Sequence, residues 1–240
     1  WSYVDFDGDK NQDILVGIDD WGDYGWDNAY DMQGNWKNGP LRGYVYWLEN
    51  ENGTYKNNGK IKAGNKILET FGAPVPNMAD FNGDGKFEII CGEFLDQLTW
   101  YNNKGKKTAP IFEKGKTLVD DKGNVIKLHV QMITPVAVDF DFDKHIDLIV
   151  GDEDGRVAWL RNTGKTKKRM PIFESPVYLK QKADNLKFGA LTAPFSVDWD
   201  GDGFEDIISG NSAGNIAFIR NLNGKNNPTW AQPLLLKADN

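Results

Sequence analysis

The sequence predicts an all-β protein built from four copies of one unit, and two observations carry the prediction. An acidic segment recurs four times without a gap. Its copies are DFDGDKNQDILVG from Asp5, DFNGDGKFEIICG from Asp80, DFDFDKHIDLIVG from Asp139 and DWDGDGFEDIISG from Asp198, with starts 75, 59 and 59 residues apart. Along the chain, 26 Gly and 10 Pro punctuate short apolar runs, the mark of a turn-rich β protein. A fixed period of this size indicates a repeat architecture.

Each unit resolves into four runs. The acidic segment ends in a β-rich stretch such as DLIVG or DIISG, which makes the second strand. GYVYWLEN, QLTWYNN, GRVAWLRN or GNIAFIRN supplies the next strand and ends at an Asn/Gly turn. A further run follows (IFE at Ile111 and Ile172, TW at Thr229), and a Pro-containing run such as ITPVAV or TAPFSV leads into the next acidic loop. The units span about 1–70, 71–130, 131–189 and 190–240 of a single domain.

With 240 residues, 40% hydrophobic and 12% aromatic, the chain can bury a sizeable core and is neither a disordered tail nor collagen-like. Its apolar runs fall short of the ~18 residues a membrane helix requires, so no membrane span is expected. One cysteine, Cys91, cannot make an internal disulfide, which leaves packing and bound metal as sources of stability. Phosphate-binding Gly loops, paired CxxC, HExxH and nucleophile-elbow motifs are absent from the sequence. The basic clusters Lys104–Lys107 and Lys165–Arg169 fall at equivalent turns and read as solvated edge protection, so no nucleic-acid partner is expected.

Within the acidic segment, side-chain oxygens fall at positions 1, 3, 5 and 9. These are Asp5, Asp7, Asp9 and Asp13; Asp80, Asn82, Asp84 and Glu88; Asp139, Asp141, Asp143 and Asp147; and Asp198, Asp200, Asp202 and Asp206. Carboxylates crowded this closely repel one another unless a cation sits among them, and hard oxygen donors in a flexible loop suit Ca²⁺. Position 7 (Asn11, Lys86, His145, Phe204) varies in chemistry, as expected of a backbone carbonyl ligand. An EF-hand would need a Glu at position 12 and flanking helices, and neither is present. The alternative is a set of Asx turns holding their own backbone without metal. The side-chain ligand positions carry 15 of the 35 acidic residues, and four structural Ca²⁺ ions would turn the net charge of -7 to about +1. The acidity therefore describes metal sites and says little about a basic partner.

At these residues the chain resembles the FG-GAP/VCBS repeat family, calcium-loop β-propeller blades also found in integrin α-subunits and in carbohydrate-active proteins. The resemblance covers nearly the whole chain, with Asn82, Glu88, Phe142 and Lys144 as departures. It implies a β-propeller of four-stranded antiparallel blades, four in this chain, and a family ring of seven makes a fragment of a larger propeller the expectation. Remaining blades of the same parent protein are then expected partners.

Strand order puts the calcium loops at one end of each blade and the second-to-third-strand hairpins at the other, the face on which the resemblance places ligand sites. On that face the first unit expands to an insertion from Ile18 to Gly43. It carries Trp21, Tyr24, Trp26, Tyr30 and Trp36 among carboxylates and amides such as Asp27, and ends at Arg42. Flat aromatic rings beside hydrogen-bonding groups suit sugars, and a satellite core clamping the loop is the competing reading. Glu93, Asp152 and Asp154 are further glycan-binding candidates on this face. So many acids favour a neutral glycan. The leading expectation is a calcium-stabilised propeller of a secreted, periplasmic or cell-surface carbohydrate-active protein that binds glycans. The alternatives are a polysaccharide lyase or glycosidase, with His129 near the axis as its catalytic residue, and a protein-interaction propeller.

Overall fold

In the computed structural model, which describes residues 1–25, 28–181, 185–225 and 228–237, the repeat becomes four antiparallel sheets. Positions 9 onward form the second strand of each: Asp13–Asp20, Glu88–Gly92, Asp147–Gly151 and Asp206–Gly210. On one side of it lies an innermost strand: Ser2–Val4, Val75–Ala79, Thr134–Val138 or Ala193–Val197. On the other lies a third strand: Arg42–Glu51, Leu98–Tyr101, Val157–Leu160 or Ile216–Ile219. The outer edges are Thr54–Lys60, Lys116–Thr117, Val177–Tyr178 and Leu234–Leu235. Each sheet is a blade, and the innermost strands pack on one another in succession, so the chain is a four-bladed β-propeller. Among the described residues no helix is long and apolar enough to cross a membrane.

The period of 2 along the second strand decides which way each residue faces. Position 11 (Leu15, Ile90, Ile149) packs toward the following blade, and positions 10 and 12 (Ile89 with Cys91, Leu148 with Val150) pack toward the preceding one. A strand buried on both faces must be apolar at nearly every position, which is why these segments read EIICG and DLIVG. Three interblade cores result, one for each successive pair of blades.

The IFE and TW runs do not form the outer strand but fold back on the extension of the third strand, as in the Asn162–Lys167/Met170–Phe173 hairpin. Their aromatic residue then crosses to the preceding blade. Phe112 meets Phe6, Phe173 meets Phe81 and Trp230 meets Phe140, with ring centroids 6.3, 6.5 and 6.1 Å apart. Position 2 of one acidic segment is therefore clamped by the next blade. Burying such a ring contributes about 1.5–3 kcal/mol, which explains the aromatic at position 2 in the first three copies.

Side-chain-to-backbone hydrogen bonds join successive blades near the axis as well. The Asn77 amide donates to the Pro135 carbonyl (2.7 Å) and accepts from the Ala137 N–H (3.0 Å), while Thr134 Oγ1 donates to the Thr192 carbonyl at 2.5 Å.

Candidate functional site

The four acidic segments adopt one loop shape. Positions 4 and 6 take left-handed backbone, supplied by Gly83 and Gly85 in the second loop and by Gly201 and Gly203 in the fourth. The first loop places Lys10 (φ 76) at position 6, and the third keeps the shape with Phe142 (φ 60) and Lys144 (φ 74). The departures noted in the sequence are thus paid in backbone strain, about 1–2 kcal/mol per L-residue. Phe142 is partly compensated because Lys225 of blade 4 holds its ammonium 3.7 Å from the ring centroid. Lys144→Gly is expected to stabilise the protein by about 1 kcal/mol, since the relieved strain exceeds the entropy cost of glycine. A calorimetric melting temperature that does not rise would count against this account.

Asx turns hold the loops. Position 1 accepts backbone N–H groups from positions 4 to 6, as in Gly8 to Asp5 (2.7 Å) and Gly201 to Asp198 (2.8 Å). Position 5 accepts the N–H of position 7, at 2.7 Å for Asn11 and 3.0 Å for Phe204. The His145 ring lies against Gly164, where an added Cβ would collide with it. Position 9 is buried in every loop and bonds to the N–H of position 2 in three of them: Phe6 to Asp13, Phe81 to Glu88 and Trp199 to Asp206. Asp147 instead receives the Asn162 N–H and the Trp159 indole.

These bonds leave the carboxylates crowded. Oxygens of Asp5, Asp7 and Asp9, of Asp139, Asp141 and Asp143, and of Asp198, Asp200 and Asp206 lie within 4.8 Å of one another in each group. In the second loop, fully buried Glu88 keeps Oε1 without a hydrogen-bond partner. Burial, reinforced by Asp84 and Asp80, pushes its carboxyl up to about 8, and burial pushes Asp147 up to about 7. Asp7 is also raised, by desolvation first and then by the charges of Asp9, Asp13 and Glu49. Folding thus disfavours the charge these acids carry at neutral pH, which a bound cation would reverse. The donor set is all oxygen and fits a hard divalent ion.

The loops differ in how they are neutralised. In blade 3 the Arg161 guanidinium reaches Asp141 (2.6 Å) and Asp143 (2.9 Å), and in blade 4 Arg220 reaches Asp200 (2.5 Å) and Asp202 (3.2 Å). The same register holds Asn102 in blade 2 and Glu49 in blade 1. The second loop borrows Arg169 from blade 3, which lies 2.9 Å from Asp84. One of the two basic clusters supplies such a contact. Arg169 ends it, and in the other Lys107 lies over the Phe87 ring (4.4 Å) and Lys104 pairs with Glu113 (2.6 Å).

At the opposite end of blade 1, strand pairing runs on to Asp20 and Arg42, so the inserted loop proper is residues 21–41, shorter than the sequence indicates. Asp31 caps a turn by accepting from Gln33 (2.9 Å) and Asn35 (2.8 Å), and Lys37 N–H bonds to the Ala29 carbonyl (2.8 Å). Tyr30 and Trp36 bridge across this turn with rings edge to face at 5.4 Å. Trp36 adjoins Tyr24 (5.0 Å), which adjoins Trp21 (5.6 Å). The aromatics thus form one connected row, with Trp21 52% and Tyr30 56% exposed at its ends. Trp26 and Asp27 lie outside the described residues.

Arg42 ties this loop to the blade edge through Asp23 (3.4 Å) and Glu69 (3.1 Å). Beside it a cleft of about 990 Å³ opens between the outer parts of blades 1 and 2, lined by Tyr44, Glu69, Tyr101 and Lys114 among others. Sequence reasoning missed this cleft because it forms where outer strands of different units meet, which no local motif marks.

The remaining candidates are placed differently from the sequence expectation. Glu93 is buried, accepting from Phe71 N–H (3.0 Å) and Thr99 Oγ1 (2.9 Å). Asp152 is fully buried and accepts from Arg156 through N–H and Nε, both at 3.0 Å. Both therefore brace hairpins. Asp154 is exposed, 3.6 Å from Arg156. His129 does not approach the axis. Its N–H bonds to the Tyr178 hydroxyl (3.0 Å) and its ring leans on that ring at 5.0 Å, beside the outer strand of blade 3. It precedes the next innermost strand, Thr134–Val138, by five residues and is still on the outer part of the crossover.

No known family's sequence profile matches the chain, and no curated protein is significantly similar to it. Among solved structures, one described as the basis of specific recognition of non-reducing terminal N-acetylglucosamine by an Agrocybe aegerita lectin is similar at 19% identity and a TM-score of 0.45. The match covers 82% of this chain and 48% of that one, so the chain spans about half the length of the protein it matches.

Proposed function

We propose that the chain is a glycan-binding β-propeller of the FG-GAP/VCBS repeat type, with acidic loops that take structural Ca²⁺ and an aromatic insertion that takes the sugar. The observation that carries this reading is the insertion itself. Its described residues are held by their own turns, yet Trp21 and Tyr30 are exposed rather than packed into a satellite core. Sugar rings stack their CH faces on such surfaces, and Glu69 and Lys114 in the cleft beside Arg42 offer hydroxyl partners. Asp20, Asp23 and Asp31 are spent on the Gly22 turn, on Arg42 and on the Asn35 turn, so the aromatic faces supply most of the contact. A neutral glycan suits the acidic surroundings. Calcium loops of millimolar affinity fill outside the cytosol, which supports a secreted, periplasmic or surface location. With Glu93 and Asp152 engaged in hairpins, the reading favours binding over turnover.

On an array of neutral glycans, Trp21→Ala and Tyr30→Ala are each expected to weaken binding about tenfold, the equivalent of ~1.4 kcal/mol. Binding to the array that both variants retain in full would overturn the assignment of the insertion.

A further inference from the structure

The same surface is buried three times in this propeller and left open once. Blade 4 presents its position-11 face: Phe195, Ile208, Phe218 and Leu234 lie opposite one another in register across the whole sheet. Position 11 is fully buried in blades 1 to 3, as Leu15, Ile90 and Ile149, whereas in blade 4 the flanking Phe195 is 60% and Ile216 52% exposed. Blade 1 presents the opposite face. Ile14 pairs with Tyr3 and Leu48, and Val16 with Tyr46. Tyr3 is 56% exposed, where the equivalent faces of blades 2 to 4 are covered by a neighbour.

The aromatic clamp is likewise half made at each end. Phe112, Phe173 and Trp230 bridge Asn103, Asn162 and Asn221 and reach back to position 2 of the preceding blade. In blade 1 the residue in that register is Tyr55, opposite Asn50 and 42% exposed. Position 2 of blade 4 is Trp199, 55% exposed. A third sign is the glycine at position 13. An added Cβ would overlap the next blade's backbone at Gly17, Gly92 and Gly151, but would meet nothing within 4 Å at Gly210.

We propose that these two faces dock on each other between two copies of the chain, head to tail, with the position-11 face of blade 4 against blade 1 of the second copy and Trp199 seated on Tyr55. The interface continues one already established three times within the chain, and the partner surface it needs is one this chain itself displays. Pairing at both ends closes a ring of eight blades, within the range propellers adopt, and pairing at one end gives open chains.

Light scattering of the whole chain in calcium buffer, across a micromolar dilution series, is expected to give twice the 27.0 kDa of one copy or more. Tyr3→Asp and Phe195→Asp, both on exposed side chains, are each expected to weaken association at least tenfold with unchanged circular dichroism. Mixing the two variants restores one intact interface, blade 4 of the first with blade 1 of the second, so the mixture is expected to associate more tightly than either variant alone. A wild-type chain that stays single throughout the series overturns the proposal. So does a mixture no better associated than its components, which would exclude head-to-tail pairing.

Discussion

Removal of divalent cations is expected to lower the melting temperature by about 10 °C or more, with the first loop contributing most. A site filled at a hundred times its dissociation constant adds about 2.7 kcal/mol, and each kcal/mol moves a chain of this size by roughly 2–4 °C. Loops 3 and 4 have guanidinium groups from Arg161 and Arg220 against their carboxylates and lose less without a cation. The first loop has Glu49 near Asp7 in their place, a further negative charge, and no ion pair to Asp5, Asp7 or Asp9 is seen among the described residues. Calorimetry with calcium and with chelator gives the size of the shift. Replacing Asp7 and Asp9 by Asn should remove more of it than the same change at Asp141 and Asp143. Arg161→Gln should destabilise the chelated protein and make it more dependent on calcium. Identical melting with and without chelator would defeat the metal assignment, and an Arg161→Gln protein indifferent to chelator would defeat the distinction between loops.

Gly151→Ala is expected to cost about 3 kcal/mol and Gly210→Ala almost nothing, although both substitute position 13 of the same repeat. At Gly151 a Cβ would overlap the Thr192 carbonyl oxygen and come 2.7 Å from Thr134 Oγ1 and 2.8 Å from Pro194 Cδ. The carbonyl is backbone in the next blade's crossover, and it also accepts the Thr134 hydroxyl. Nothing there can rotate aside, so blades 3 and 4 must separate slightly, and overpacking of this kind costs 1–3 kcal/mol. At Gly210 the methyl group enters open space. Urea midpoints would compare the two directly. Equal losses would mean that position 13 needs glycine for the strand itself and that interblade contact is irrelevant.

Much of the architecture was legible because each unit repeats both its chemistry and its spacing. Position 9 carboxylates mark where loop becomes strand, and Val/Ile/Leu at positions 10 to 12 announce a strand covered on both faces. What escaped the sequence depended on contacts between units. The IFE run has strand composition, but its aromatic residue is drawn to Phe6 or Phe81 of the preceding blade, so it cannot lie along the outer edge. Glu93 and Asp152 looked available because hairpin acids are usually solvated, yet Thr99 and Arg156 draw them inward. The cation-like role of Arg161 and Arg220 was equally hidden, since the separation of 20 residues between Asp141 and Arg161 carries no local signal. The aromatic row needed the fold of the insertion, for Tyr30 and Trp36 meet only across the Asp31 turn.

The clamp from one blade's aromatic to its predecessor makes cohesion in this molecule a one-dimensional affair. Blades 2 and 3 each share a core with two neighbours, so a lesion in either answers to two joints, and one at the joint between them separates two pairs of blades.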